Sequence, residues 1–157
     1  MAHGRLVFVI PASSTDAFEE FFNHVVRLKW DTLLRETYVE GGGSHPSVGS
    51  ISVNKGRGWK GGFSMRTRDL TYDPPRHSAA EMVSPIGPFA LWAASMRFRD
   101  RNQSTCELTY TYSLRLRPKW FGWLLDPISG LLFAWETKRR FKAMSRYVVD
   151  QRVKNIA

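Results

Sequence analysis

The stretch Ser104–Arg117, STCELTYTYSLRLR, alternates more cleanly than any other part of the chain. Cys106, Leu108, Tyr110, Tyr112, Leu114 and Leu116 fall on one side of an extended strand, with Thr105, Glu107, Thr109, Thr111, Ser113 and Arg115 on the other. Successive side chains of a strand point to opposite sides, so this period of two reads as a strand with one buried and one wetted face. Phe89–Arg99 alternates likewise, with Trp92, Ala94, Met96 and Phe98 set against Arg97 and Arg99. Asp100-Arg101-Asn102-Gln103 joins the two as a hairpin. Strands of this kind belong to an antiparallel sheet open to water on one side, and its apolar face needs a cover.

Outward from this hairpin, period-two patterning predicts further short strands near Leu34–Glu40, Val48–Asn54, Gly62–Tyr72 and Ser78–Ser84. GRLVFVI over residues 4–10 predicts the first strand, stopped by Pro11. Ser13, three residues before Asp16, caps a helix starting near Ser14, whose stripe is Phe18, Phe21, Phe22 and Val25. A second short helix or turn is expected over Val26–Thr32. The cover itself can only be Lys119–Lys154, where Leu124, Ile128, Leu131, Trp135, Phe141, Met144 and Val148 recur at roughly helical spacing. Pro127 and Gly130 predict a bend or break in its first part. Strand, helix pair, six strands and a long helix make an α+β domain with helices on one face of a curved sheet.

A chain of 157 residues suits one domain, 1–157, able to build its core without disulfides or metal. Cys106 is the sole cysteine, which rules out an internal disulfide and a cysteine cluster for zinc or iron–sulfur. The apolar run Leu6–Ile10 is too short for a secretory signal, and Trp120–Trp135 is interrupted by Asp126, Pro127, Ser129 and Gly130, so a cytoplasmic protein is the default expectation. The net charge of +9 favours anionic partners: nucleic acid, anionic headgroups or acidic ligands. Nucleic acid is disfavoured, because no exposed aromatics for base stacking are interleaved with the basic strand faces.

Three strings carry a family resemblance: VFVIPASSTDAFEEF at Val7–Phe21, RDLTYDPPRH at Arg68–His77, and the close RPKWFGWLLDP…RRFKAMSRYVV. With the element order, they resemble the START/Bet v 1-like helix-grip superfamily, nearest its bacterial polyketide cyclase/dehydrase and lipid-transport-like branch. The resemblance implies a curved sheet of about seven strands wrapped around a long C-terminal helix, with two short helices after the first strand. It further implies a pocket between sheet and helix for a small hydrophobic or amphipathic ligand such as a lipid or polyketide. Some members bind or carry; a minority catalyse, and one scaffold hosting many functions fixes none of them.

On that layout the residues expected to line the pocket are Met65, Trp92, Met96, Phe98, Leu108, Tyr110, Tyr112, Leu125 and Trp135. Methionine adapts its shape and tyrosine brings a hydroxyl to an apolar wall, which suits a pocket with a few placed polar groups. Alternation along Phe63, Met65 and Thr67 also turns Asp69 inward, where an unpaired carboxylate would be costly. A cyclase, aromatase or dehydratase acting in this pocket would draw its acid or base from Asp69, Glu81, Tyr110 and Tyr112. Arg66, Arg68, Arg97, Arg99, Arg115 and Arg117 share the outer strand faces. No nucleophile elbow, phosphate loop, dinucleotide fingerprint or His-Glu-x-x-His motif occurs, and no metal, nucleotide or redox cofactor is implied. His3, His24, His45 and His77 read as surface or turn residues, and Cys106 as a buried, inert thiol. Trp59 reads either as a shield at the pocket entrance or as packing on the sheet edge. Two readings stay open for Trp120, Phe121, Trp123, Leu124 and Leu125: burial on the sheet, or a lid that touches anionic membrane with Lys119, Lys138, Arg139, Arg140, Lys142 and Arg146.

Overall fold

In the computed structural model the residues described are 1–58, 62–117 and 119–156, with side chains described except for those of 119–124 and 126. Trp59 and the side chains of Lys119, Trp120, Phe121, Trp123 and Leu124 therefore lie outside the described set. The elements run β1 (Ala2–Ile10), α1 (Ser14–Phe22), α2 (His24–Trp30), β2 (Leu34–Val39), β3 (Ile51–Gly56), β4 (Ser64–Asp73), β5 (His77–Met82), β6 (Phe89–Asn102), β7 (Thr105–Leu116) and α3 (Lys119–Ile156). The seven strands form one antiparallel sheet in the order β1-β7-β6-β5-β4-β3-β2. Chain-sequential strands neighbour one another from β2 to β7, and β1 closes on β7, so hairpins make nearly the whole sheet.

Local chemistry sets the element ends. Ser13 Oγ accepts the Asp16 N–H at 3.1 Å, satisfying one of the orphan donors of α1. Asn23 ends α1 and caps α2, its side chain accepting from the N–H groups of Val25 and Val26. Register shifts at Leu34/Glu36, Asp69/Thr71, Phe89/Leu91 and Asp100/Asn102 bend the strands around the helices. All three helices lie on the inner face of the sheet: α1 against β6 and β7, α2 against β2, α3 against β1 and β7.

The inner face of β7 is buried at every alternate residue from Cys106 to Leu116, as its alternation predicts. Phe141 of α3 sits among Phe8, Phe21 and Tyr110, with ring centroids 4.7, 5.8 and 5.8 Å away. Phe18 meets Phe22, Tyr72 and Phe98 at 4.4–5.4 Å. Arg66, Arg68, Arg97, Arg99 and Arg117 are exposed on the outer side, with Arg115 half-buried.

Two expectations for α3 need correction: that Pro127 and Gly130 break it, and that its apolar residues form one stripe. The helix is continuous from Lys119 to Ile156, with Pro127 inside it. Pro127 lies exposed, so its ring and missing N–H face water rather than core, and the helix carries on beyond it. Gly130 is no breaker either. A Cβ there would lie 3.3 Å from that of Ala2, and its carbonyl accepts the Tyr112 hydroxyl at 3.1 Å, so the glycine lets α3 pass close to β1 and β7. The apolar stripe is also two stripes. Met144 follows Trp135 by about two and a half turns, which places them on opposite sides of the helix. Phe141, Met144 and Val148 are buried, whereas Ile128, Leu131, Leu132 and Trp135 are all more than half exposed.

Candidate functional site

On β4, β5 and β6, burial of the inner face changes from one end to the other, while β7 stays buried throughout. Along β6, Phe98 and Met96 are buried while Ala94 and Trp92 are half-buried. Strands β4 and β5 repeat the gradient. Asp69, Thr67 and Ser78 are buried; Met65, Ala80 and Met82, which share their face by register, are half-buried. The less covered end is where β6 and α3 begin. There α3 lies mainly over β1 and β7 and, among the described residues, makes few contacts with β4, β5 and β6. On the other flank of α3, a cleft of about 480 Å³ runs between Met1–His3, Tyr112 and the helix residues Pro127, Gly130, Leu131 and Ala134. It is open to solvent on one side, and its volume is in the range used for small ligands.

The nine residues expected at a pocket divide along this gradient. Met65, Trp92 and Leu125 are half-buried at the open end. Tyr112 lines the cleft and packs against Phe133 with its ring tilted by 53°, centroids 4.6 Å apart. Met96, Phe98, Leu108 and Tyr110 are buried in the packed part of the core. Trp135 lies on the solvent side of α3, with the Arg139 guanidinium 5.7 Å from its ring centroid. Glu81, a candidate acid, pairs in register with Arg68 and Ala93 on the outer face and so points away from the interior.

A polar wall stands under α2. Asp69 Oδ2 accepts from the Ser52 hydroxyl at 3.2 Å and from the Ser50 hydroxyl at 3.4 Å. Burial pushes its carboxyl up to about 6, against the pull of those two hydrogen bonds. Ser52 Oγ lies 3.5 Å from His24 Nε2, and the other ring nitrogen of His24 meets the Thr37 hydroxyl, which donates to Asn54 Oδ1. His24 is thus a buried residue, not the surface histidine expected from sequence. Burial, with the nearby charge of Arg27, lowers it to about 4, so the imidazole is neutral at pH 7. Cys106 is buried, and burial raises its thiol to about 11, leaving it unreactive.

Sequence reasoning missed a buried charge cluster altogether. Asp31, at the end of α2, accepts from Arg27 Nε at 3.0 Å and from Arg140 Nη2 at 2.7 Å through Oδ2. Its Oδ1 accepts from Arg140 Nε at 3.2 Å and from the Leu33 N–H at 3.0 Å. Burial opposes its charge, yet Arg140 and Arg27 together hold the carboxyl well below the ordinary range. The Arg27–Asp31 spacing of i,i+4 was the one signal available. Arg140 is buried here rather than part of a solvated basic face.

No protein-family model and no curated protein sequence matches this chain. Solved structures do. A START superfamily protein from Mycobacterium smegmatis matches with a TM-score of 0.74 at 7% identity, over 93% of this chain and 98% of that one. A norcoclaurine synthase from Thalictrum matches at 0.64 and 11%, over 96% of each chain. The di-domain ARO/CYC protein BexL, from the BE-7585A biosynthetic pathway, matches at 0.69 and 9%, over 94% of this chain and 46% of its own. At such identities the likeness is one of fold: this chain has the helix-grip fold of the START/Bet v 1-like superfamily.

Proposed function

We propose that the protein binds, and carries, a small hydrophobic or amphipathic molecule such as a lipid or polyketide between the inner sheet face and α3. One observation carries this reading. Apolar inner-face residues of the central strands, Met65, Met82, Ala94 and Trp92, stay half-covered, and α3 carries an exposed apolar run from Ile128 to Trp135. Exposed Lys138, Arg139 and Lys142 follow that run within two turns, so an anionic bilayer is the surface this end would meet while loading. Among the described residues no helix is long and apolar enough to cross a membrane, so such contact would be peripheral. A cytoplasmic setting, where the lone thiol stays reduced, belongs to the same proposal.

The test is native mass spectrometry of freshly purified protein, followed by denaturing extraction. A stoichiometric lipid-like adduct released on denaturation is the expected result. An apo mass, together with no binding of an added fluorescent fatty acid, would remove the carrier reading.

A second reading, a cyclase, aromatase or dehydratase using the same space, rests on Asp69. It is the inward carboxyl whose burial moves it toward neutrality, where an acid or base works best. Asp69→Asn should leave ligand binding intact under the first reading and abolish turnover of a poly-β-ketone under the second.

A further inference from the structure

The cluster at the crossing of α2 and α3 is unbalanced. Asp31 is 1% exposed, Arg140 7% and Arg27 9%, so two guanidiniums share one carboxylate in the interior. Arg140 spends Nε and Nη2 on both oxygens of Asp31 as a fork. Arg27 reaches it through Nε alone, and its two terminal nitrogens meet no hydrogen-bond acceptor among the described residues. The ring of Phe21 occupies its flat side, 4.3 Å from Cζ to centroid, which leaves the edge bearing those N–H groups. Tyr110 lies in the same part of the core, its ring 5.8 Å from that of Phe141, the residue after Arg140, and its hydroxyl also has no hydrogen-bond partner among the described residues. Other charges act on the cluster from farther off: Glu136 on Arg140, Asp69 with Arg27, while His24 beside Arg27 is neutral. None of them bonds to the Arg27 terminus. The one buried side-chain polar atom without a partner among the described residues is Glu20 Oε2, so the Arg27 terminus and the Tyr110 hydroxyl are not sealed in and stay within reach of a molecule from outside the chain.

We propose that the ligand of the grip is an amphipathic acid whose carboxylate takes the free N–H groups of Arg27 and the Tyr110 hydroxyl. The inference rests on the ligand-binding reading and narrows it to one chemical class. The acid's tail would run along the inner face toward Met65, Ala94 and Trp92. The chain's net charge of +9 favours the approach of such an anion.

The test compares 11-(dansylamino)undecanoic acid with its methyl ester by fluorescence titration of the whole protein at neutral pH. The acid should bind at least about tenfold tighter than the ester, as charge-assisted hydrogen bonds imply. Arg27→Gln should bring the acid's affinity down to about that of the ester, which should still bind, and Arg27→Lys should keep part of the preference. In the wild type, the guanidinium nitrogen resonances of Arg27 should shift with the acid and not with the ester, a readout that does not depend on any variant folding. Equal affinity for acid and ester, or an acid preference that survives in Arg27→Gln, would overturn the assignment and leave the binding reading standing. Failure of both probes to bind would overturn the binding reading, and this inference with it.

Discussion

One helix serves two purposes along its length. From Thr137 to Val148, α3 buries Thr137, Arg140, Phe141, Met144 and Val148 against α1, α2, β1 and β7. From Ile128 to Trp135 it turns Ile128, Leu131, Leu132 and Trp135 to solvent, although these are as apolar as the residues it buries. Burial of an aliphatic or aromatic side chain contributes about 1.5–3 kcal/mol. The Ile128–Trp135 segment therefore forgoes stability that the Thr137–Val148 segment gains. The difference teaches that the Thr137–Val148 segment holds the fold together, while the Ile128–Trp135 segment leaves apolar surface uncovered, where the proposed partner would meet it.

The comparison breaks most easily at its charged anchor. Asp31→Asn keeps the shape but leaves Arg27 and Arg140 buried without their shared counter-ion. The expected loss is about 3–5 kcal/mol in chemical denaturation. A loss under about 1 kcal/mol would mean that the cluster is hydrated and the closed end not closed. Next in size is a matched pair on the two halves of the helix. Met144→Ala, at a fully buried site, should cost about 2–5 kcal/mol. Leu131→Ala, at a site open to water, should stay within about 0.5 kcal/mol. Equal costs for the two would erase the contrast.

How much of this was legible follows from the range of each interaction. Alternation is local, so the faces of β6 and β7 and the inward turn of Asp69 could be read directly from residues two apart. The Ser13 cap and the breaks around Pro11 are equally local. The helix stripe failed because a list of apolar residues at roughly helical spacing hides a slow rotation. Trp135 and Met144 both fit a period near four, yet they end on opposite sides. The charge cluster failed for a different reason: Asp31 and Arg140 are 109 positions apart, and no local pattern separates a buried arginine from its neighbours Lys138, Arg139 and Lys142. Likewise, nothing near His24 announces that Thr37 and Ser52 will enclose it. Among the residues expected at the pocket, sequence found the inner face but not which end of it is covered, since that depends on where α3 crosses.

The polar wall between the two ends gives a smaller, pH-dependent effect. Asp69 has its pKa raised by burial, from the usual value near 4 to about 6. Its contribution to stability is therefore fully present below about pH 4 and is lost as pH rises through about 6. His24 has its pKa depressed to about 4, so its contribution is present above about 6.5 and is lost as pH falls through about 4. Asp69→Asn removes only the first of these. The Tm of that variant relative to wild type should become more favourable as pH is raised from about 4.5 to about 7.5. A difference that stays flat across this range would show that Asp69 is hydrated and ionised throughout.

The smallest effect on stability should accompany the largest effect on surface behaviour. Leu131→Ser combined with Trp135→Ser alters the exposed run without touching the packed side of α3, so the Tm should hardly move. The same double variant should lose flotation with vesicles of mixed phosphatidylcholine and phosphatidylglycerol if the open end meets an anionic bilayer. Lys138→Glu with Lys142→Glu should weaken flotation too, but only in the phosphatidylglycerol vesicles and in a salt-sensitive way, because headgroup attraction is screened over about 10 Å at 0.1 M ionic strength. Wild-type protein that floats with neither vesicle would remove the membrane from the proposal.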